Sequence, residues 1–192
     1  MTEVLKRVKP RRRRQGYTDY RKRLKLVKSG LHRLVIRRGT RRIVVQIVKS
    51  RAGGDETLVT VGSEVLRKYG WKASLKSVPA AYLTGLLAGK KALEKGVEKT
   101  IVDIGVYRSV KGSRLYAVVK GALDAGLEIP VSEEVLPSDE RIHGKHISDY
   151  VAMIADNPVG FQFIASDKEY LLKLGEEVER IKREILGGGE DE

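Results

Sequence analysis

Cysteine is absent from the 192 residues, which excludes disulfides, thiolate metal sites and cysteine nucleophiles together and fits a reducing compartment. Long apolar runs are missing too: none approaches the ~18–20 residues that a membrane span needs. The first fourteen residues are charged, with no hydrophobic stretch behind them, so the start does not read as a secretory signal. A soluble intracellular protein is the expectation. Asparagine occurs once, at Asn157, and glutamine three times, at Gln15, Gln46 and Gln162. Few thermolabile amides beside many ionisable side chains fit a heat-adapted source.

Acidic residues are scarce in one particular place. Residues 1–50 hold eighteen Lys or Arg and only two acids, Glu3 and Asp19, a local charge of +16 in a chain whose net charge is +13. The remainder is weakly acidic. A basic arm on a near-neutral body is the electrostatic footprint of nucleic-acid binding, because each phosphate neutralised releases a counterion. The segment lacks the broad apolar face of a helix that lies on a membrane.

Along the chain, residues 1–16 read as an extended arm, with Pro10 discouraging helix around it. Thr18 and Asp19 suit the start of a helix over 19–29, closed by Gly30. Leu24, Val27 and Leu31 fall on one face of it and would dock, presenting Arg21, Lys22, Lys25 and Lys28 outward. Two strands follow, over 32–38 and 41–49, joined at Gly39-Thr40. Alternation places Leu34, Ile36, Ile43, Val45 and Ile47 on one face, as core. Arg33, Arg37, Arg42 and Gln46 share the other with Val35, Val44 and Val48, a flat surface suited to RNA.

The turn at 52–55 leads to a third strand over 56–61 and a short helix from Ser63 to Gly70. Trp71 reads as a core or lid residue. Ser77 and Pro79 begin a strong helix over 79–95. A strand over 100–106, a helix over 114–125 and a brief extended piece over 127–130 follow. Another helix is expected over 139–156, ended by Asn157-Pro158. An apolar connection, 161–164, and a capping box, 166–169, introduce a final helix with Leu171, Leu174, Val178, Ile181 and Ile185 in a stripe that would pack on its own domain or on a neighbour. The fold expected is α/β: a mixed sheet with flanking helices, a basic N-terminal extension and a C-terminal helical extension. The divisions are 1–30 for the basic arm and first helix, 31–156 for the α/β core and 157–192 for the extension.

Catalytic motifs do not emerge. The run from Gly85 to Lys91 falls short of a phosphate-binding P-loop: its glycines are one residue too close, Lys91 stands where Ser or Thr would hold magnesium, and it lies inside a helix. Its small residues would instead let the helix approach the sheet closely. His143 and His146 lie three apart, but no third metal ligand is evident, and solvated histidines or phosphate contacts suit the spacing better. No nucleophile elbow or carboxylate dyad is present. Neither a cofactor nor a small-molecule substrate is expected.

Four blocks carry a family resemblance: RRRRQGYTDYRKRL from Arg11 to Leu24, PAAYLTGLL from Pro79 to Leu87, DIG from Asp103 to Gly105 and KGALDAGLEIP from Lys120 to Pro130. In this order they resemble the universal L-eighteen ribosomal protein family in its archaeal and eukaryotic branch, over roughly residues 10–155. That resemblance implies a non-enzymatic constituent of the large subunit, on the cytoplasmic ribosome, that binds 5S ribosomal RNA in the central protuberance. Large-subunit ribosomal RNA and neighbouring ribosomal proteins are the further partners implied. Carried onto this chain, the RNA-facing residues are Arg11, Arg12, Arg13, Arg14, Tyr17, Thr18, Tyr20, Arg21 and Arg23, with Asp19 as a cap or arginine clamp. Arg33, Arg37, Arg42 and Gln46 on the strands follow them. A nuclease and a DNA-packaging protein are the alternatives. The first would need clustered acids for metal, which the basic quarter lacks, and the second would prefer duplex DNA.

Overall fold

The computed structural model describes residues 8–154 and 167–187. A four-stranded sheet in the order β3-β2-β1-β4 organises them. Strand β1 (His32–Arg38) pairs antiparallel with β2 (Ile43–Arg51), and β2 with β3 (Gly54–Gly62). Strand β4 (Thr100–Asp103) pairs parallel with β1. The hairpins supply the antiparallel pairs, and the crossover through helix α3 (Val78–Glu94) makes β4 parallel, as connection length dictates. The expected mixed α/β sheet is therefore observed.

The sorting of faces holds. Leu34, Ile36, Ile43, Val45 and Ile47 are at most 1% exposed and lie under α3 and α4 (Arg114–Asp124). Trp71 is buried in the same core. Helices α3 and α4 meet through glycine. A Cβ on Gly85 would lie 2.1 Å from the Val118 carbonyl, and one on Gly121 would lie 2.1 Å from that of Tyr82. The small residues of α3 thus serve a helix–helix crossing, and the expectation that they approach the sheet is corrected: α4, not the sheet, lies against Gly85 and Gly89.

Several boundaries shift for local reasons. The hairpin loop spans four residues, 39–42, since Arg38 pairs with Ile43. A single 3-10 helix (Ser63–Tyr69) follows β3; Ser63 does not cap it but accepts from the Ile43 amide at 3.1 Å. Strand β4 stops at Asp103 because that side chain accepts from the Gly105 amide at 2.9 Å and Gly105 turns to φ +61°. The piece at 127–130 contributes one parallel bridge, Lys99 to Glu128, in place of a strand. The helix expected over 139–156 is broken at Gly144 (φ +77°) into α5 (Asp139–Ile142) and α6 (Lys145–Met153). Its expected end, like the connection at 161–164 and the first residue of the capping box, lies outside the described residues.

The last segment forms α7 (Lys168–Leu172), capped by Asp167 through the Tyr170 amide, and α8 (Leu174–Gly187). Leu174, Val178, Ile181 and Ile185 enter the same core as the sheet. Of the two packing modes open to this stripe, it takes its own domain. His143, between Asp139 O (2.7 Å) and Glu179 Oε1 (2.6 Å), helps to tie α8 down.

Candidate nucleic-acid interface

The basic arm takes more structure than its sequence suggests. Arg11–Arg14 coil into one helical turn, α1. Pro10 precedes that turn as N-cap, where its missing N–H costs no helical hydrogen bond. Gly16 at φ +71° closes it: the Tyr17 amide donates to Arg12 O at 2.9 Å and the Gly16 amide to Arg13 O at 3.2 Å. That crossed pair of bonds is the Schellman closure, and it corrects the extended reading of residues 11–16. One turn spreads four guanidinium groups around its axis, and all four residues are exposed.

Asp19, not Thr18, caps the next helix, α2 (Tyr20–Lys28), accepting from the amides of Arg21 (3.0 Å) and Lys22 (3.2 Å). The Lys22 amide bond holds the Asp19 carboxyl below its ordinary range, against the opposing push of burial. Thr18 accepts instead from Arg12 Nε at 2.9 Å, joining α1 to the link before α2.

Helix α2 does not dock by its apolar stripe. Leu24 is 57% exposed, Val27 39% and Tyr20 37%, and α2 buries no residue. Its orientation follows from charge. Arg23 reaches Asp55 at 2.9 Å, which turns that side of the helix toward the sheet and the Leu24 side away.

Arg33 is the anchor beneath. It is only 3% exposed, and each of its three guanidinium nitrogens reaches a protein acceptor. Nη2 lies 2.5 Å from Asp55 Oδ2, Nη1 2.8 Å from Asp103 Oδ2 and Nε 3.2 Å from Ser50 Oγ. Burial pushes the Asp55 carboxyl up, but Arg33 and Arg23 together outweigh it and the net shift is downward. Arg33 is thus an internal clamp that joins β1 to β2, β3 and β4, and its guanidinium is largely covered. Arg42, on the hairpin loop, pairs with Glu64 at 2.5 Å with both partners largely exposed. Gln46 donates to Thr60 Oγ1 at 3.3 Å across β2 and β3.

Together these elements enclose a groove of about 380 Å³ between the arm and the open face of the sheet. Arg12, Tyr17, Thr18, Asp19, Lys22 and Arg23 line it from above. Arg33, Arg37, Gln46 and the apolar floor of Val35 and Val48 line it from below. Tyr17, 65% exposed, stands at this groove with its ring available for stacking. Arg11, Arg13, Arg14 and Arg21 are exposed outside it, and Arg42 is not part of it. The structure therefore brings together seven of the residues expected to face RNA. Inference from sequence missed Asp55 and Asp103, the counter-ions that set the groove's shape. Alternation put Arg33 on the face opposite the core, so nothing local showed that the fold would cover it and require acceptors there.

Among the described residues, no group of three or more His, Cys, Asp or Glu is placed to hold a metal ion. No helix formed by them is long and apolar enough to cross a membrane.

The family model described as ribosomal large subunit proteins 60S L5 and 50S L18 matches residues 6–101 and 94–132. The large ribosomal subunit protein uL18 of Thermofilum pendens is 52% identical over 157 residues, covering 81% of this chain and 80% of that protein. That of Methanosphaera stadtmanae is 48% identical over 157 residues, covering 82% and 81%. A third, from Korarchaeum cryptofilum, is 49% identical over 150 residues, covering 78% and 77%.

Proposed function

The chain belongs to the family of ribosomal large subunit proteins that takes in 60S L5 and 50S L18, and on that premise we propose that it binds 5S ribosomal RNA and anchors it in the central protuberance. As a member of this family it is a structural protein of the large subunit and not an enzyme. The finer reading assigns it the cytoplasmic ribosome, with large-subunit ribosomal RNA and neighbouring ribosomal proteins as further partners.

One observation carries the RNA reading: an exposed turn of four arginines beside a groove with an aromatic lip and a sheet floor. Arg11, Arg13, Arg14 and Arg21 supply planar forks for phosphate pairs along a backbone. Arg12 and Thr18, bonded to each other, fix the arm's position. Tyr17 offers a stacking face, worth about 1–3 kcal/mol per base in single-stranded contacts. Lys22, Arg37 and Gln46 meet the sugar-phosphate strand that the groove receives, and Arg23 and Arg33 hold the groove open from behind. Contacts of this kind position RNA by shape and backbone more than by base edges.

Equilibrium competition at physiological salt tests the assignment. The purified chain should retain labelled 5S ribosomal RNA against an excess of duplex DNA of equal length. Displacement by the DNA would favour a packaging role, and RNA cleavage during incubation would favour a nuclease.

A further inference from the structure

A second cavity, of about 630 Å³, lies beside Arg38 at the carboxyl end of β1 and takes in Arg108, Val110 and Gly112 from the loop after β4. It shares no lining residue with the groove. Helix α3 precedes β4 and α4 follows it, and their N-caps, Ser77 and Ser113, both line the cavity. Two helix N-termini, of 17 and 11 residues, therefore converge at one place and bring their positive dipole ends together.

Cations surround that point. Arg38, Lys76, Arg108, Arg114 and Arg141 line the cavity together with His146, and no carboxylate among the described residues does. The groove, in contrast, contains Asp19, Asp55 and Asp103. Two of the arginines are held in place: Arg38 lies over the Tyr107 ring at 5.2 Å, and Arg114 Nη1 donates to the Lys76 carbonyl at 3.0 Å. Neither contact neutralises charge.

The N-cap of α4 is unfinished. Ser77 caps α3 by accepting from the Ala80 amide at 3.3 Å. Ser113 makes no such bond, and among the described residues its buried hydroxyl has no partner. A buried hydroxyl lacking a partner is costly unless something absent from the free chain supplies one. Uncapped amides, an orphan hydroxyl and five cations that form no ion pair among the described residues all call for the same kind of group, an oxyanion.

We propose that this cavity is a second phosphate site that receives a phosphodiester of an RNA backbone, independently of the groove. The proposal rests on the RNA-binding reading for its ligand, but its geometry is separate. Phosphate oxygens would accept from the Ser113 hydroxyl and the first amides of α4, and the exposed side chains of Arg108 and Arg141 would close on them. The chain would then grip RNA at two places, with the loop carrying Tyr107 and Arg108 between them.

The test uses the full chain and its Arg108→Gln/Arg141→Gln variant, whose altered residues are both exposed and spare the core. Inorganic phosphate is titrated first, read by NMR at the Arg114 and Leu115 amides and the His146 imidazole. His146 sits below its ordinary pKa through burial and the charge of Arg141, with Asp149 opposing. Phosphate beside Arg38, Lys76 and Arg114 should raise it. The wild-type chain should show these shifts and the variant should not. Affinity for 5S and large-subunit ribosomal RNA is then measured against salt. For at least one of the two, the variant should lose about tenfold, with a shallower salt slope. Phosphate shifts with unchanged affinity for both RNAs would mean a free-ion site and overturn the proposal, as would no shifts and no loss. An Arg13→Ala/Arg14→Ala chain separates the two readings. RNA affinity lost there but kept in the cavity variant overturns the cavity alone. The reverse keeps the cavity and overturns the arm's phosphate role.

Discussion

Replacing Arg33 by methionine removes the clamp while keeping most of its length, and the consequence can be worked from its partners. Breaking a buried ion pair by removing one member costs about 3–5 kcal/mol, because the other charge stays in a poorly solvated place. Here the stranded carboxylates differ: the Asp103 side chain is 8% exposed and that of Asp55 is 29% exposed and keeps Arg23. Water and Arg23 offset part of the loss, so the expected cost is roughly 2–4 kcal/mol. At about 2–4 °C per kcal/mol for a chain of this size, Tm should fall by roughly 5–15 °C. Urea unfolding followed by the fluorescence of Trp71, the single buried tryptophan, measures it directly. A further change, Asp103→Leu, should recover part of the loss, since the charge left behind is then gone. The pH dependence adds a check. The depressed Asp55 carboxyl contributes stability that is present above its unfolded value, ordinarily about 3.9, and is lost as pH falls through the lower folded value. Arg33→Met should therefore flatten the acid limb of the stability curve. A loss of less than about 1 kcal/mol, the range of an exposed pair, would refute the clamp.

The glycine crossing of α3 and α4 should be equally sensitive. Gly121→Ala drives a methyl into the Tyr82 carbonyl and should cost about 3 kcal/mol or more, whereas Gly53→Ala, in open space, should leave Tm unchanged in the same thermal melts. Asp19→Ala should increase hydrogen exchange at the Arg21 and Lys22 amides, which would lose their acceptor. In the wild-type chain that protection should hold above the ordinary carboxylate range and fade as pH drops through the depressed Asp19 value. Equal exchange in the two proteins at neutral pH would dismiss the cap.

Legibility in the sequence followed the physics of each element. The hairpin was readable because period-two alternation has one burial solution: Leu34, Ile36, Ile43, Val45 and Ile47 must share a face. The N-cap of α3 at Ser77 was readable because serine before a proline-initiated helix is a local signal. Helix α2 misled because its apolar stripe is short and a distant ion pair, Arg23 to Asp55, sets its rotation. Local patterning does not show a partner thirty-two residues away. The arm's helical turn was hidden by Pro10, which opposes helix before itself but permits it after. The candidate groove was half legible. Its cations stand out in the composition of residues 1–50, while Asp55 resembles an ordinary turn residue until the fold brings it under Arg33. The second cavity was not legible at all. Arg38, Lys76, Arg108, Arg114 and Arg141 are scattered along the chain, mostly in its weakly acidic remainder, and only the topology gathers them.

The central claim is that the arm binds RNA by taking up phosphates, and the salt dependence of binding tests it most directly. Affinity for 5S ribosomal RNA should be measured from low to physiological salt for the intact chain and for one with Arg11, Arg12, Arg13 and Arg14 changed to alanine. Each lost phosphate contact reduces the slope of log K against log salt by about 0.7–0.9. A slope shallower by about 2–3, with much weaker binding at low salt, is the result expected if Arg11, Arg13 and Arg14 engage phosphate and Arg12 holds the arm. Superimposable lines for the two proteins would contradict the account.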